Sequence, residues 1–158
     1  MATDRPQSAE LKLTRLIAAP PEVVFEVWTR PEHLTEWWGP AGFSLPSCEL
    51  DFRVGGAFRY RMRNPAGGDH WLRGVFQQII EPERIAFTFA WGDAERATGP
   101  VTLVTVTFET HAEKTRVTLH QTGLESDSAA RAHDDGWSTQ FDRLAAFAAE
   151  VFESSRKA

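Results

Sequence analysis

The feature that most constrains this chain is a change in the period of its apolar residues, from helical to strand-like and back. From Cys48 onward an apolar side chain returns at every second position. Cys48, Leu50 and Phe52 alternate with Glu49, Asp51 and Arg53; Phe58, Tyr60 and Met62 alternate with Arg59, Arg61 and Arg63. Ile85, Phe87, Phe89 and Trp91 alternate with Ala86, Thr88 and Ala90; Val104, Val106 and Phe108 alternate with threonines; Val117 and Leu119 close the series. Side chains two apart share one face of a strand, so this pattern demands an antiparallel sheet with one apolar face. Gly- and Pro-rich turns at 55–56, 64–69 and 81–84, a loop over 92–100 and a turn at 110–114 cut the series into consecutive strands, with a longer strand over 71–80.

The flanks obey other periods. Residues 10–17 read as a strand, with Leu11, Leu13 and Ile17 on one phase. Ala19-Pro20-Pro21 ends it and opens a helix on Val24, Val27 and Trp28, since proline suits a first helical turn. Thr29-Arg30-Pro31 separates a second short helix, on Leu34, Trp37 and Trp38, which Gly39-Pro40 stops. Adjacent tryptophans on a helix point ~100° apart, so one is expected to pack under the sheet edge and the other to rim a cavity. After Thr122-Gly123 the period returns to helix. Ser126 or Asp127 is the N-cap candidate. Trp137, Phe141, Leu144, Ala148 and Val151 form an apolar stripe about 22 Å long, and Gly136 marks a candidate bend. A one-faced sheet needs a cover, and the last helix is the element long enough to supply it. The expected fold is α+β: a curved antiparallel sheet of about six to seven strands wrapped around a long C-terminal helix, with two short helices after the first strand. Residues 10–155 make one domain, and 1–9 are a loose, polar N-terminus.

Composition excludes several classes of function. Seventeen Lys and Arg against 22 Asp and Glu leave a net charge of −5, the wrong field for a nucleic-acid partner. One cysteine forms no internal disulfide and no cysteine zinc cluster. No apolar run approaches the ~20 residues of a membrane helix, and a cytoplasmic location is expected. Eleven Phe and six Trp beside a single Tyr are the unusual count. Rings in this number fill a core or line a cavity for something apolar.

The alternation and the helix stripe nominate ligand-facing residues. Phe58, Tyr60, Phe87 and Phe89 occupy inward strand phases, Trp137 and Phe141 the helix stripe, and Trp38 the cavity mouth. Arg15 and Gln121 are polar residues on inward phases; an inward guanidinium needs a carboxylate or an anionic ligand. The strand over 71–80 offers two phases, Trp71, Arg73 and Gln77 or Gly74, Phe76 and Gln78, and leaves the inward one open. Other chemistry is sparse. Gly55-Gly56 precedes a strand, not the helix that a phosphate loop requires. His33 with Glu36, and His133 with Asp134 and Asp135, read as solvated or structural groups, and His120 as solvent-facing. Cys48 reads as a buried, inert thiol. No catalytic residue, metal site or cofactor motif emerges.

The chain resembles the START-like (SRPBCC) helix-grip superfamily, and within it the family named after the activator of the heat-shock protein 90 ATPase. The matching stretches are Ala19-Pro20-Pro21-Glu22-Val23-Val24-Phe25, Trp37-Trp38-Gly39-Pro40, Val54-Gly55-Gly56-Ala57-Phe58, Arg73-Gly74-Val75-Phe76, Glu83-Arg84-Ile85 and Gly136-Trp137, in the family's order across residues 10–153. The resemblance implies a cavity under the long helix, in a superfamily whose members range from lipid carriers to cyclases. Binding of a hydrophobic or amphipathic small molecule is the expected function. A cyclase, dehydratase or hydrolase using the same cavity and a chaperone-associated interaction protein are the alternatives, and a homodimer remains open.

Overall fold

The computed structural model describes residues 9–157. Strand β1 spans Ala9–Ile17, helix α1 Pro21–Val27 and helix α2 Pro31–Trp37. Strands β2 (Ser44–Leu50), β3 (Ala57–Arg63), β4 (Asp69–Ile80), β5 (Arg84–Gly92), β6 (Thr102–His111) and β7 (Lys114–Leu124) follow, and helix α3 (Asp127–Lys157) ends the chain. Residues 1–8 of the expected loose N-terminus lie outside the described residues; Ala9 is already in β1, paired with Leu124.

The seven strands form one antiparallel sheet in the order β1-β7-β6-β5-β4-β3-β2. Consecutive strands from β2 to β7 are neighbours, as short turns dictate, and β1 joins at the far edge beside β7. Helices α1 and α2 carry the chain from one edge of the sheet to the other. Each opens with a proline in its first turn. Helix α3 lies across the inward face and buries Trp137, Phe141, Leu144 and Ala148, so the sheet grips its own C-terminal helix.

Several local expectations need correction. Strand β2 begins at Ser44, four residues ahead of Cys48, because Pro46 is tolerated on an edge strand that donates no ladder bond there. It ends at Leu50, so Phe52 falls in the following loop, packed edge-on against Phe76 at 5.0 Å. Helix α3 runs unbroken through Gly136 and starts ten residues before the apolar stripe, with Ser126 as its cap: the hydroxyl accepts the Ala129 N–H at 3.0 Å. Trp37 and Trp38 are both buried, at 0% and 3% exposure. The helical 100° offset does not apply, because Trp38 has left the helix with φ −69° and ψ 134°.

Strand β4 settles its own phase. Leu72 and Phe76 are buried and face α3, whereas Trp71 and Arg73 face outward. A bulge between Phe76 and Gln78 then shifts the register, and Gln78 becomes exposed. Gly74 sits on the inward phase opposite Phe58. A Cβ there would lie 1.8 Å from the Thr88 carbonyl oxygen and 2.6 Å from the Phe58 ring, so the ring of Phe58 takes the place of a side chain.

Candidate functional site

Most of the space between sheet and helix is filled with rings. Trp28 from the end of α1 meets Trp37, Trp38, Phe108 and Phe141 at centroid distances from 4.8 to 6.4 Å, all edge-on. Beneath it Phe58, Tyr60, Phe76 and Phe87 close around a void of only about 10 Å³. Burial, with the Cys48 thiol opposite, holds the Tyr60 phenol well above its ordinary range. Burial likewise pushes the Cys48 thiol up to about 12, so it is not an available thiolate.

Packing fails at one end. There a recess of about 280 Å³ opens between the first half of α3, the segment after α2, and the inward faces of β3, β4 and β5. Trp38, Pro40 and Phe43 form one side; Met62, Leu72, Phe89 and Trp91 form the sheet wall; His70 stands at the mouth. The helix contributes Ala132, His133, Gly136, Trp137 and Gln140. Of the residues expected to face a ligand, Trp38, Phe89 and Trp137 meet here. Phe58, Tyr60 and Phe87 lie one layer deeper, and Phe141 is core, 6.2 Å from Trp137.

Gln121 lies behind the recess. It is fully buried, and its Oε1 accepts the Trp137 indole N–H at 2.9 Å. Its Nε2 donates to Thr102 Oγ1 at 2.9 Å, and that hydroxyl donates to the Phe89 carbonyl at 2.8 Å. This relay ties the Trp137 ring on α3 to the backbone of Phe89 in β5. Arg15 lies elsewhere. It pairs with Asp142 on α3 and reaches the Ser138 carbonyl at 3.2 Å. The guanidinium therefore has its carboxylate, at an exposed flank where Asp142 is 69% accessible.

Two further groups shape the mouth. The Arg143 guanidinium donates to the carbonyls of Gly39 at 2.8 Å, Pro40 at 3.1 Å and Glu36 at 3.2 Å. It thereby satisfies one free C-terminal carbonyl of α2, that of Glu36, and ties the segment carrying Pro40 and Phe43 to α3. Burial lowers its pKa from the ordinary value. His133 corrects the expectation of a solvated cluster: Asp134 and Asp135 are exposed, but the imidazole is half-buried in the wall. Its Nδ1–H donates to the Ala129 carbonyl at 2.9 Å, which leaves Nε2 to accept the Trp91 indole N–H at 3.0 Å. His120 is solvent-facing, hydrogen-bonded to Glu10 at 2.5 Å.

Sequence reasoning missed Met62, Leu72, Trp91, His133 and Gln140. Met62 and Trp91 continue phases recognised as apolar, whereas Leu72 lies on the strand whose inward phase the sequence leaves open. His133, Gly136, Trp137 and Gln140 follow helical spacing, but three of the four are not apolar, so no hydrophobic stripe announces them. Among the described residues no group of three His, Cys, Asp or Glu side chains could hold a metal, and no helix is long and apolar enough to cross a membrane. A second groove, on the outward face of β2–β5, is lined by Arg59 and Arg73, which are already engaged. Arg59 donates to the Glu49 carboxylate at 2.7 Å, and Arg73 to the Asp93 carbonyl at 2.8 Å.

Comparison with known proteins agrees with this architecture. No curated protein matches the sequence. The AHSA1 protein from Silicibacter pomeroyi is 30% identical, with a TM-score of 0.80 over 87% of this chain and 96% of that one. A crystal structure from Chromobacterium violaceum is 27% identical, with a TM-score of 0.78 over 89% and 96%. The family model described as activator of Hsp90 ATPase homolog 1-like protein matches residues 18–149. With that match spanning most of the sequence and the sheet gripping its last helix as described, the chain belongs to the activator of Hsp90 ATPase homolog 1-like family.

Proposed function

We propose that this protein binds a small apolar or amphipathic molecule in the recess under the first half of α3. One observation carries the reading. The inward rings pack to a void of about 10 Å³ in one layer, yet leave about 280 Å³ in the next, walled mainly by Trp, Phe, Met and Leu. Protein interiors do not leave such volume without a reason. An apolar cavity of roughly 150 Å³ holds benzene. The recess therefore suits a one- or two-ring molecule and is too small for a two-chain lipid. Catalysis in the same place is the weaker reading: both His133 nitrogens are committed, and the phenol of Tyr60 is buried below the floor. Chaperone association is supported by the family name, and the recess offers the more specific ground.

The test is a ¹H–¹⁵N NMR titration of the full chain with naphthalene and, separately, with a long-chain lysophospholipid below its micelle concentration. Naphthalene is expected to shift the Gly136 amide and the Trp91 and Trp137 indole signals, and the lipid is expected to leave them in place. Silence of these signals up to the solubility limit, or shifts gathered on the outward face of β2–β5, would overturn the proposal.

A further inference from the structure

The imidazole of His133 joins the helix wall of the recess to its sheet wall. On α3 its Nδ1–H donates to the Ala129 carbonyl at 2.9 Å, and from β5 the Trp91 indole N–H donates to its Nε2 at 3.0 Å. The joined pair is also a partition. Behind it lies a crevice of about 100 Å³ that reaches Leu124 and Glu125, and Phe89, Trp91 and His133 line both hollows. The Trp91 ring rests edge-on against Phe89 at 5.3 Å, and the bond to His133 is what ties it to the helix.

An indole N–H only donates, so it can meet Nε2 only while that nitrogen keeps its lone pair. A second proton on the ring would set two N–H donors against each other, and Trp91 would have to turn away. The charged and titratable groups around the ring do not take over the bond. Glu125 is exposed on the crevice side, Asp134 and Asp135 are exposed on α3, and His70 stands across the recess at its mouth. Among the described residues none of the four is hydrogen-bonded or ion-paired to the His133 imidazole. Resting on the binding reading above, we infer that Trp91 and His133 form a proton-operated latch: the bare Nε2 holds Trp91 as a wall of the recess, and protonation releases that wall and the ligand with it. Proton and ligand then compete through the same bond, so acid lowers the affinity. Imidazole is the side chain whose charge changes between pH 5 and pH 8, which suits it to this task.

The experiment follows the indole N–H resonances and the affinity for naphthalene, an uncharged probe, between pH 8 and pH 5. It compares the wild-type chain with His133→Gln, whose amide supplies an acceptor and a donor but does not titrate. Without ligand, acid should move the wild-type Trp91 indole signal upfield and leave the Trp137 signal in place. Naphthalene should bind the wild type roughly five- to tenfold more weakly at pH 5 than at pH 8, about what one hydrogen bond contributes. In His133→Gln neither the Trp91 signal nor the affinity should depend on pH. A stationary Trp91 signal in the wild type overturns the latch, and this measurement stands even if the variant does not fold. Parallel movement of the Trp137 signal also overturns it, because the whole fold is then responding. Equal pH dependence in His133→Gln assigns the effect to another group such as His70 and overturns it too. Equal wild-type affinities at the two pH values overturn the coupling to the ligand. If the Trp91 signal moves as expected but naphthalene disturbs no recess signal at either pH, the binding reading falls and the bond to His133 stands.

Discussion

The hydrogen bond from Trp137 to Gln121 permits a sharp test of how the recess wall is held. Gln121 is fully buried and Trp137 is 5% exposed, so neither end of the 2.9 Å bond has water to fall back on. Trp137→Phe keeps a ring but orphans Gln121 Oε1, which costs about 1–3 kcal/mol for a buried unpaired acceptor. The smaller ring loses roughly another 1 kcal/mol of packing. Gln121→Leu orphans the indole N–H instead, again about 1–3 kcal/mol. It leaves Thr102 content, because that hydroxyl keeps its own bond to the Phe89 carbonyl. The double variant removes both polar ends and orphans neither, so its cost should fall below the sum of the singles by both orphan penalties together, about 2–6 kcal/mol. Urea unfolding followed by circular dichroism reads this directly, provided the denaturant slope stays constant across the four proteins. At about 2–4 °C per kcal/mol, Trp137→Phe alone should lower Tm by roughly 5–10 °C. Additivity of the two single variants within about 0.5 kcal/mol would refute the reasoning, since it would mean that the bond is not made or its ends reach water.

Other perturbations separate steric from electrostatic effects. Gly74→Ala should cost about 2 kcal/mol or more, because the new methyl collides with the Thr88 carbonyl and the Phe58 ring, whereas Gly136→Ala should stabilise by up to about 1 kcal/mol. The nearest atom to a Cβ at Gly136 is Pro40 Cγ at an ordinary 3.9 Å; thermal melts of the two variants should therefore move in opposite directions. Arg143→Ala removes the donor that gathers the carbonyls of Glu36, Gly39 and Pro40. It should destabilise by roughly 2 kcal/mol and raise amide hydrogen exchange at residues 38–43 before exchange rises elsewhere. Unchanged exchange there would deny Arg143 its part in shaping the mouth. Cys48 sets an alkaline limit. Its thiol ordinarily titrates near 9.0 and is pushed up to about 12 by burial, so the folded state holds the proton more tightly than the unfolded one. That contribution is fully present below pH 9 and is lost as pH rises toward 12. Cys48→Ala should flatten the fall in urea midpoint between pH 9 and 11, and an unchanged slope would assign the alkaline loss to other groups such as Tyr60.

Several of the residues nominated for the site show why a sequence reaches the fold more readily than the function. Phase told which face Phe58, Tyr60, Phe87 and Phe89 occupy, and each does face α3. Phase says nothing of depth along the face, and depth separates Phe89 in the recess wall from the other three in the packed layer. Arg15 and Gln121 are polar residues on inward strand phases, and phase alone does not say what they meet. The partners are Asp142 and Trp137, on a helix that meets β1 and β7 only after the chain has folded.

The alternation of apolar side chains by itself determined the antiparallel meander, and the stripe from Trp137 to Ala148 determined the helix it grips, because periodicity is local and each strand or helix needs only its own residues to declare a buried face. Where that interior is left unfilled was decided by tertiary structure alone. The recess exists because Trp38 packs against Trp137, Arg143 holds the segment beyond Trp38, and Leu72 of β4 is turned toward α3. Each is a contact between residues far apart in the chain, and a void is the sum of such distances, a quantity that no single stretch of sequence contains.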